Sequence, residues 1–248
     1  MAGSVAAMSV VVIPSAERIR WRDGWLDSRQ SFPVAGNYYL AANAFGLLLV
    51  HNDDIVDAGE GFDSHQHADV EIVTWVLEGA LVHRDSMGNE GVITEGLAQR
   101  MSAGTGVVHS ERNAAGYSSR ARLRVIQMWL PPDRLGTEPS YEEYAAGEDL
   151  ASGRLVTVAS GMERDRGGTA VGLGNGAAAL HVSRLVAGTP VLLPRAPFVH
   201  VFVSRGTVTV DGVGTLDEGD ALRVTDSGGH GVAGDGAEIL VWEMHSHA

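Results

Sequence analysis

The sequence predicts an all-β chain organised as two antiparallel β-barrels with few short helices. Three observations carry that prediction. Short β-rich runs recur along the chain, 32 glycines punctuate them without forming a low-complexity tract, and the turn pattern of the first half weakly repeats in the second. The runs are Phe45–Val50, Ile72–Leu77, Leu123–Leu130, Arg154–Ala159, Leu180–Val186, Phe198–Ser204, Thr207–Val210 and Ile239–Glu243. Each has the length of one strand, and such strands set between turn signals build sandwiches or barrels.

The opening stretch Met1–Pro14 is apolar but lacks the positive n-region of a signal peptide, so it reads as the first strand of a cytoplasmic chain. Arg112–Arg124 is arginine-dense, and its alternating apolar positions read as a strand with one wet face. Pro131–Gly136 is a breaker cluster suited to a linker. Ser140 beyond it is placed to cap a short helix over Pro139–Tyr144, with Glu142 and Glu143 in its first turn. These features divide the chain into a first barrel at 1–135, a linker with a short helix at 136–152, and a second barrel at 153–248. In the repeat, Gly79 and the Glu95-Gly96 turn of the first half correspond to Gly206 and the Glu218-Gly219 turn of the second. The glycines stand 17 residues apart in one half and 13 in the other.

Composition narrows the chemistry. All 18 basic residues are arginine, cysteine is absent, and 31 acidic residues bring the formal charge to −13. Without lysine there is no Schiff base and no P-loop lysine; without cysteine there is no thiolate nucleophile, zinc-thiolate site or disulfide. The acid excess repels phosphate backbones, which argues against direct nucleic-acid binding. No apolar run approaches the ~20 residues of a membrane-spanning helix. A metal held by this chain must sit on imidazole and carboxylate.

Those donors occur in two pairs, His65 with His67 and His109 with Glu111, each at spacing i, i+2. On a strand both members of such a pair face the same way, so two strands can present three imidazoles and one carboxylate to one cavity. That set suits Fe, Ni, Cu, Mn or Zn, and in an octahedron leaves two positions open. The remaining histidines offer no such pairing in a barrel. His51 and His83 read as strand residues near turns, His245 and His247 as a terminal pair, and His181, His200 and His230 have no partner at ligand spacing.

Gly59, five residues, His65-Gln66-His67, three residues and Glu71 resemble the first cupin motif, and Gly96 to Asn113, with His109, resembles the second. Met101–Glu111, together with Thr74–Gly79 and His83–Asn89, is similar to the pirin family, in particular to bacterial pirin-like quercetin dioxygenases. The resemblance runs from Trp21 to Trp129 and is weak beyond Tyr144. It implies a bicupin fold with one metal in the first barrel, bound by His65, His67, His109 and Glu111. Glu71, at the general cupin carboxylate position, stays outside that set. Gln66 stands where pirins usually carry proline. In the second barrel, registering Gly206 on Gly79 and Gly219 on Gly96 puts Leu192, Pro194, Val232 and Gly234 at the ligand positions, so that barrel is expected to be metal-free.

The activity implied is a quercetin 2,3-dioxygenase-type opening of a flavonol or similar enolic ring with O2. The cofactor implied is one divalent metal, Fe(II) foremost, with Ni, Cu, Mn, Co or Zn accepted by the same donors. Glu111 is both ligand and candidate base. Met101, Trp75 and Trp129 are of the type that lines an aromatic pocket, although core packing is the commoner role for each. The resemblance also admits a non-enzymatic role, in which metal redox state biases binding to a protein partner.

Overall fold

The computed structural model describes residues 9–34 and 39–248. In chain order the strands of the first part are β1 (Ser9–Ile13), β2 (Ile19–Arg22), β3 (Leu26–Gln30), β4 (Val50–Val56), β5 (Gly61–His67), β6 (Glu71–Glu78), β7 (Ala80–Asp85), β8 (Glu90–Thr94), β9 (Leu97–Ser102), β10 (Val107–Asn113), β11 (Leu123–Leu130) and β12 (Ser140–Ala145). A single-turn helix α1 (Gly147–Leu150) precedes β13 (Val156–Ser160), β14 (Val171–Gly172), β15 (Ala178–Arg184), β16 (Val191–Leu192), β17 (Ala196–Arg205), β18 (Val208–Val210), β19 (Gly214–Leu216), β20 (Ala221–Ser227), β21 (Gly231–Gly234) and β22 (Glu238–Met244).

These strands form four sheets. A seven-stranded sheet (β12-β9-β6-β11-β4-β3-β2) faces a four-stranded one (β5-β10-β7-β8), and a second seven-stranded sheet (β1-β20-β17-β22-β15-β13-β14) belongs with a second four-stranded one (β16-β21-β18-β19). The expected barrels are therefore open two-sheet sandwiches, because the large and small sheets are not joined into one continuous hydrogen-bonded ladder. The bicupin repeat is explicit in the strand order: β5-β10-β7-β8 corresponds to β16-β21-β18-β19, and β9-β6-β11-β4 to β20-β17-β22-β15. Gly79, Gly96, Gly206 and Gly219 turn the chain at corresponding corners, with φ of 78°, 80°, 72° and 88°.

The two large sheets pack face to face. Val73, Trp75, Leu77, Ile126 and Met128 share one core with Leu180, Phe202, Leu240 and Trp242. A central strand covered on both sides needs a near-continuous apolar run, which is why β6 and β11 read so clearly as strands. The polar tips of the two tryptophans are satisfied across the seam: Trp75 Nε1 donates to Glu238 Oε1 at 3.0 Å and Trp242 Nε1 to Met128 Sδ at 3.1 Å. One strand also crosses over: β1 pairs with β20 in the far sheet, whereas β12 extends the first large sheet along β9.

Several expectations are corrected. The segment from Ser140 is strand β12, not a helix; pairing with β9 and the Arg100–Glu142 ion pair at 2.7 Å override the capping signal, and the helix falls at Gly147–Leu150. The run Phe45–Val50 is mostly a tight turn, with Phe45 bridged to Leu48, and the strand starts at Val50. Arg112 and Arg124 lie on different strands, β10 and β11. The first eight residues of the expected opening strand lie outside the described residues; Ser9–Ile13 is strand.

Candidate metal centre

Strands β5, β10 and β7 lie side by side in the small sheet of the first half. His109 on β10 stands directly opposite His65 on β5, and Val107 opposite His67; Glu111 stands opposite His83 on β7. The β5–β10 ladder shifts register between His109 and Glu111, a bulge that fits one extra residue into β5. Gly61 makes the close approach possible, since a Cβ there would lie 2.2 Å from the carbonyl oxygen of Glu111.

This pairing gathers the histidine rings. The His65 and His109 centroids are 4.4 Å apart, His65 and His67 4.8 Å, and His67 and His109 5.0 Å. The donor atoms of His65, His67 and His109 all lie within 4.8 Å of one another, as do those of His83, His109 and Glu111. The four residues singled out from spacing thus fall in two overlapping groups, His65 and His67 with His109 in one and Glu111 with His109 in the other. His83, read as a plain strand residue, joins them. The usable signal was its own alternation, since Leu81, His83 and Asp85 share one face of β7. Glu71 points elsewhere: its Oε2 accepts from Ser102 Oγ at 2.7 Å and from the Gly174 amide at 2.9 Å.

The donor chemistry fits a divalent metal. His65 Nδ1 lies 2.7 Å from the Asp63 carbonyl, so a proton held there leaves Nε2 as the lone-pair donor. His67 Nε2 and both ring nitrogens of His109 are buried without a hydrogen-bond partner among the described residues, a costly state unless something else engages them. Burial, reinforced by neighbouring histidines, lowers His67 to about 4 and His109 to about 3, so both rings stay in the neutral form that a metal needs. Burial pushes the Glu111 carboxyl up, opposed by a hydrogen bond from Gln127 Nε2 to its Oε2 at 2.7 Å. Gln127 is itself fixed, because Trp129 Nε1 donates to its Oε1 at 3.1 Å.

Gln127 is a polar residue set between Ile126 and Met128 in β11, and it belongs to a row. In register across the large sheet run Gln30, Asn52, Gln127, Thr74 and Gln99. This polar slab faces the histidines and separates two apolar clusters, one around Val76, Leu81 and Ile93 and the other around Ile72, Met101 and Val107. On its open side a cavity of about 250 Å³ is rimmed by Trp21, Leu26, Phe62 and Trp129 and reaches His65, His67 and Glu111. Of the three residues considered for an aromatic pocket, Trp129 lines it, while Trp75 and Met101 are core.

The equivalent interior of the second half is aliphatic, filled by Leu193, Val201, Val208, Val210, Val232 and Val241 among others. Its ladders correct the expected register. Val232 pairs with Val210, the counterpart of His83, and so holds the Glu111 position; His230 then holds that of His109, and Leu193, bonded to His230, that of His65.

A Pirin family profile matches residues 14–130. A Mycobacterium tuberculosis H37Rv protein provisionally named a quercetin 2,3-dioxygenase is 46% identical over 239 residues, 96% of this chain and 96% of its own length. The chain belongs to the pirin family. The Escherichia coli K12 protein named quercetin 2,3-dioxygenase is 46% identical to this pirin over 127 residues, 51% of this chain and 54% of its own. The structure of the bacterial pirin YhhW from Escherichia coli in complex with nickel(II) matches with a TM-score of 0.83 at 32% identity, covering 96% of this pirin and 100% of that chain. The likeness thus extends well past Tyr144, beyond the first half where the motifs lie.

Proposed function

We propose that this pirin is a metal-dependent dioxygenase of the quercetin 2,3-dioxygenase type, with His65, His67, His109 and Glu111 holding one divalent transition metal, Fe(II) by preference. The observation that carries the reading is the cluster of buried imidazole nitrogens that have no partner among the described residues, facing a pocket with an aromatic rim. A bound divalent ion would supply Lewis acidity, lowering the pKa of an enolic hydroxyl, and its open positions would admit substrate and O2. The chain supplies the rest. Trp21, Phe62 and Trp129 offer apolar surface to a planar aromatic body. Glu111, made more basic by burial and steadied at Oε2 by Gln127, is the group positioned to take the hydroxyl proton. His83 stands behind it, with Nε2 3.4 Å from Asp85 Oδ2, and buttresses the deep side of the cluster.

The chain's relatives with dioxygenase names support this reaction class. Oxygen consumption with a panel of flavonols tests it: the metal-loaded protein is expected to take up O2 only with substrate, and His109→Ala to lose that uptake. Equal uptake by the two proteins would overturn the assignment.

A further inference from the structure

Opposite the histidines, β3 and β4 place four hydrogen-bonding side chains in a block. Ser28 pairs in register with Asp54, and Gln30 with Asn52, and all four line the pocket. Part of the block is satisfied internally: Ser28 hydrogen-bonds the Asp54 carboxyl, and Gln30 Nε2 donates weakly to Ser28 Oγ at 3.4 Å. Two oxygens are not. Asn52 Oδ1 and Asp54 Oδ1 are buried and have no hydrogen-bond partner among the described residues. Asp54 is only 4% exposed, so its unmatched oxygen is a standing cost that a ligand group can relieve. The second half shows that the interior does not require such groups, since its equivalent space is filled with valine and leucine.

We propose that Asn52 and Asp54 are specificity-determining residues, which hydrogen-bond hydroxyl groups of a polyhydroxylated aromatic substrate at the wall facing the metal ligands. This rests on the dioxygenase reading for the direction in which the substrate lies, with its reacting enolic hydroxyl toward Glu111 and its remaining hydroxyls toward β4. Burial pushes the Asp54 carboxyl up to about 7, so at neutral pH it is present both with and without its proton. A hydroxyl donates as well as accepts and therefore matches either form, whereas an ether only accepts and so offers nothing to the carboxylate or to Asn52 Oδ1, and a methyl group or a bare ring edge matches neither. The apolar rim of Trp21, Leu26 and Phe62 accepts the aromatic body of either kind of compound, so discrimination falls to the two polar residues.

The test compares quercetin with 3-hydroxyflavone, which keeps the enolic hydroxyl and lacks the others. Kd values for both are read from quenching of tryptophan fluorescence in the metal-loaded wild type and in Asp54→Ala, Asn52→Ala and Asp54→Asn. Wild type is expected to prefer quercetin by about tenfold or more, and either alanine variant to shrink that ratio to about threefold or less. Asp54→Asn, which still donates and accepts, keeps most of it. Asn52 is half-buried, so its variant carries the test if Asp54→Ala fails to fold. An undiscriminating wild type, alanine variants that keep the ratio, or binding of neither compound overturns the inference. Oxygen uptake on the same samples separates it from the reaction assignment. Uptake with both flavonols and no preference sinks only the inference, and a clear preference without uptake sinks only the reaction.

Discussion

Gln127 shows how one side chain can govern a site it does not itself complete. It donates to Glu111 Oε2, accepts from Trp129, and has no apolar substitute that would do either. Groups that orient a metal ligand in this way are commonly worth ten- to a hundredfold in metal affinity. Gln127→Leu is therefore expected to weaken metal binding by about that factor, measured by competition with a chelator of known affinity; unchanged affinity would show that Glu111 needs no such support. At this scale the sequence was informative where spacing carries chemistry. His65, His67, His109 and Glu111 were legible because period-two alternation puts each pair on one face. Gln127 was not, because what selects it is a partner on another strand; for His83 alternation along β7 gives its face but not which strand will lie beside it.

The pairing of β5 with β10 is the element on which the cluster depends. Its bulge and the absence of a side chain at Gly61 let the two strands approach while His65 stays opposite His109. A methyl group at Gly61 would overlap the Glu111 carbonyl and force the strands apart. Gly61→Ala is expected to cost roughly 1–3 kcal/mol of stability, read from urea unfolding, and to lower metal occupancy with it. Full stability with a full metal complement would mean the approach is not needed. Element-scale reading of the sequence succeeded for β6, β11, β17 and β22, whose extensive burial leaves them rich in apolar and β-branched residues. It failed for β12, where Ser140 and the following acids imitate a helix start, and only pairing with an edge strand decides otherwise.

At the scale of the whole molecule, the two large sheets meet over a core that also buries His51 and His200. Their rings lie 5.0 Å apart, neither is exposed, and neither has a hydrogen-bond partner among the described residues. Burial, and then the charges of Arg18 and Arg223 and, for His200, His51, hold both far below the usual 6.5. The unfolded chain therefore binds protons that the folded chain refuses once pH drops below about 6.5. Stability from this pair is complete above that value and falls below it, by up to about 1.4 kcal/mol per pH unit for each ring. Asp54 and Glu111, whose carboxyls are pushed up, act in the opposite sense, so the informative quantity is the difference between proteins. His200→Leu is expected to flatten the loss of stability between pH 6.5 and 5, followed by urea midpoints; parallel curves would place the acid sensitivity elsewhere. The repeat that couples the halves was visible in the turn glycines. The face-to-face packing was not, because β6 and β22 carry the same apolar pattern whichever sheet covers them.

The proposed chemistry needs one ion held by His65, His67, His109 and Glu111. Elemental analysis of protein from its native source, repeated on His109→Ala and Glu111→Gln, tests this most directly. About one transition-metal ion per wild-type chain is expected, with a large loss in both variants. A full complement of metal in either variant would contradict it.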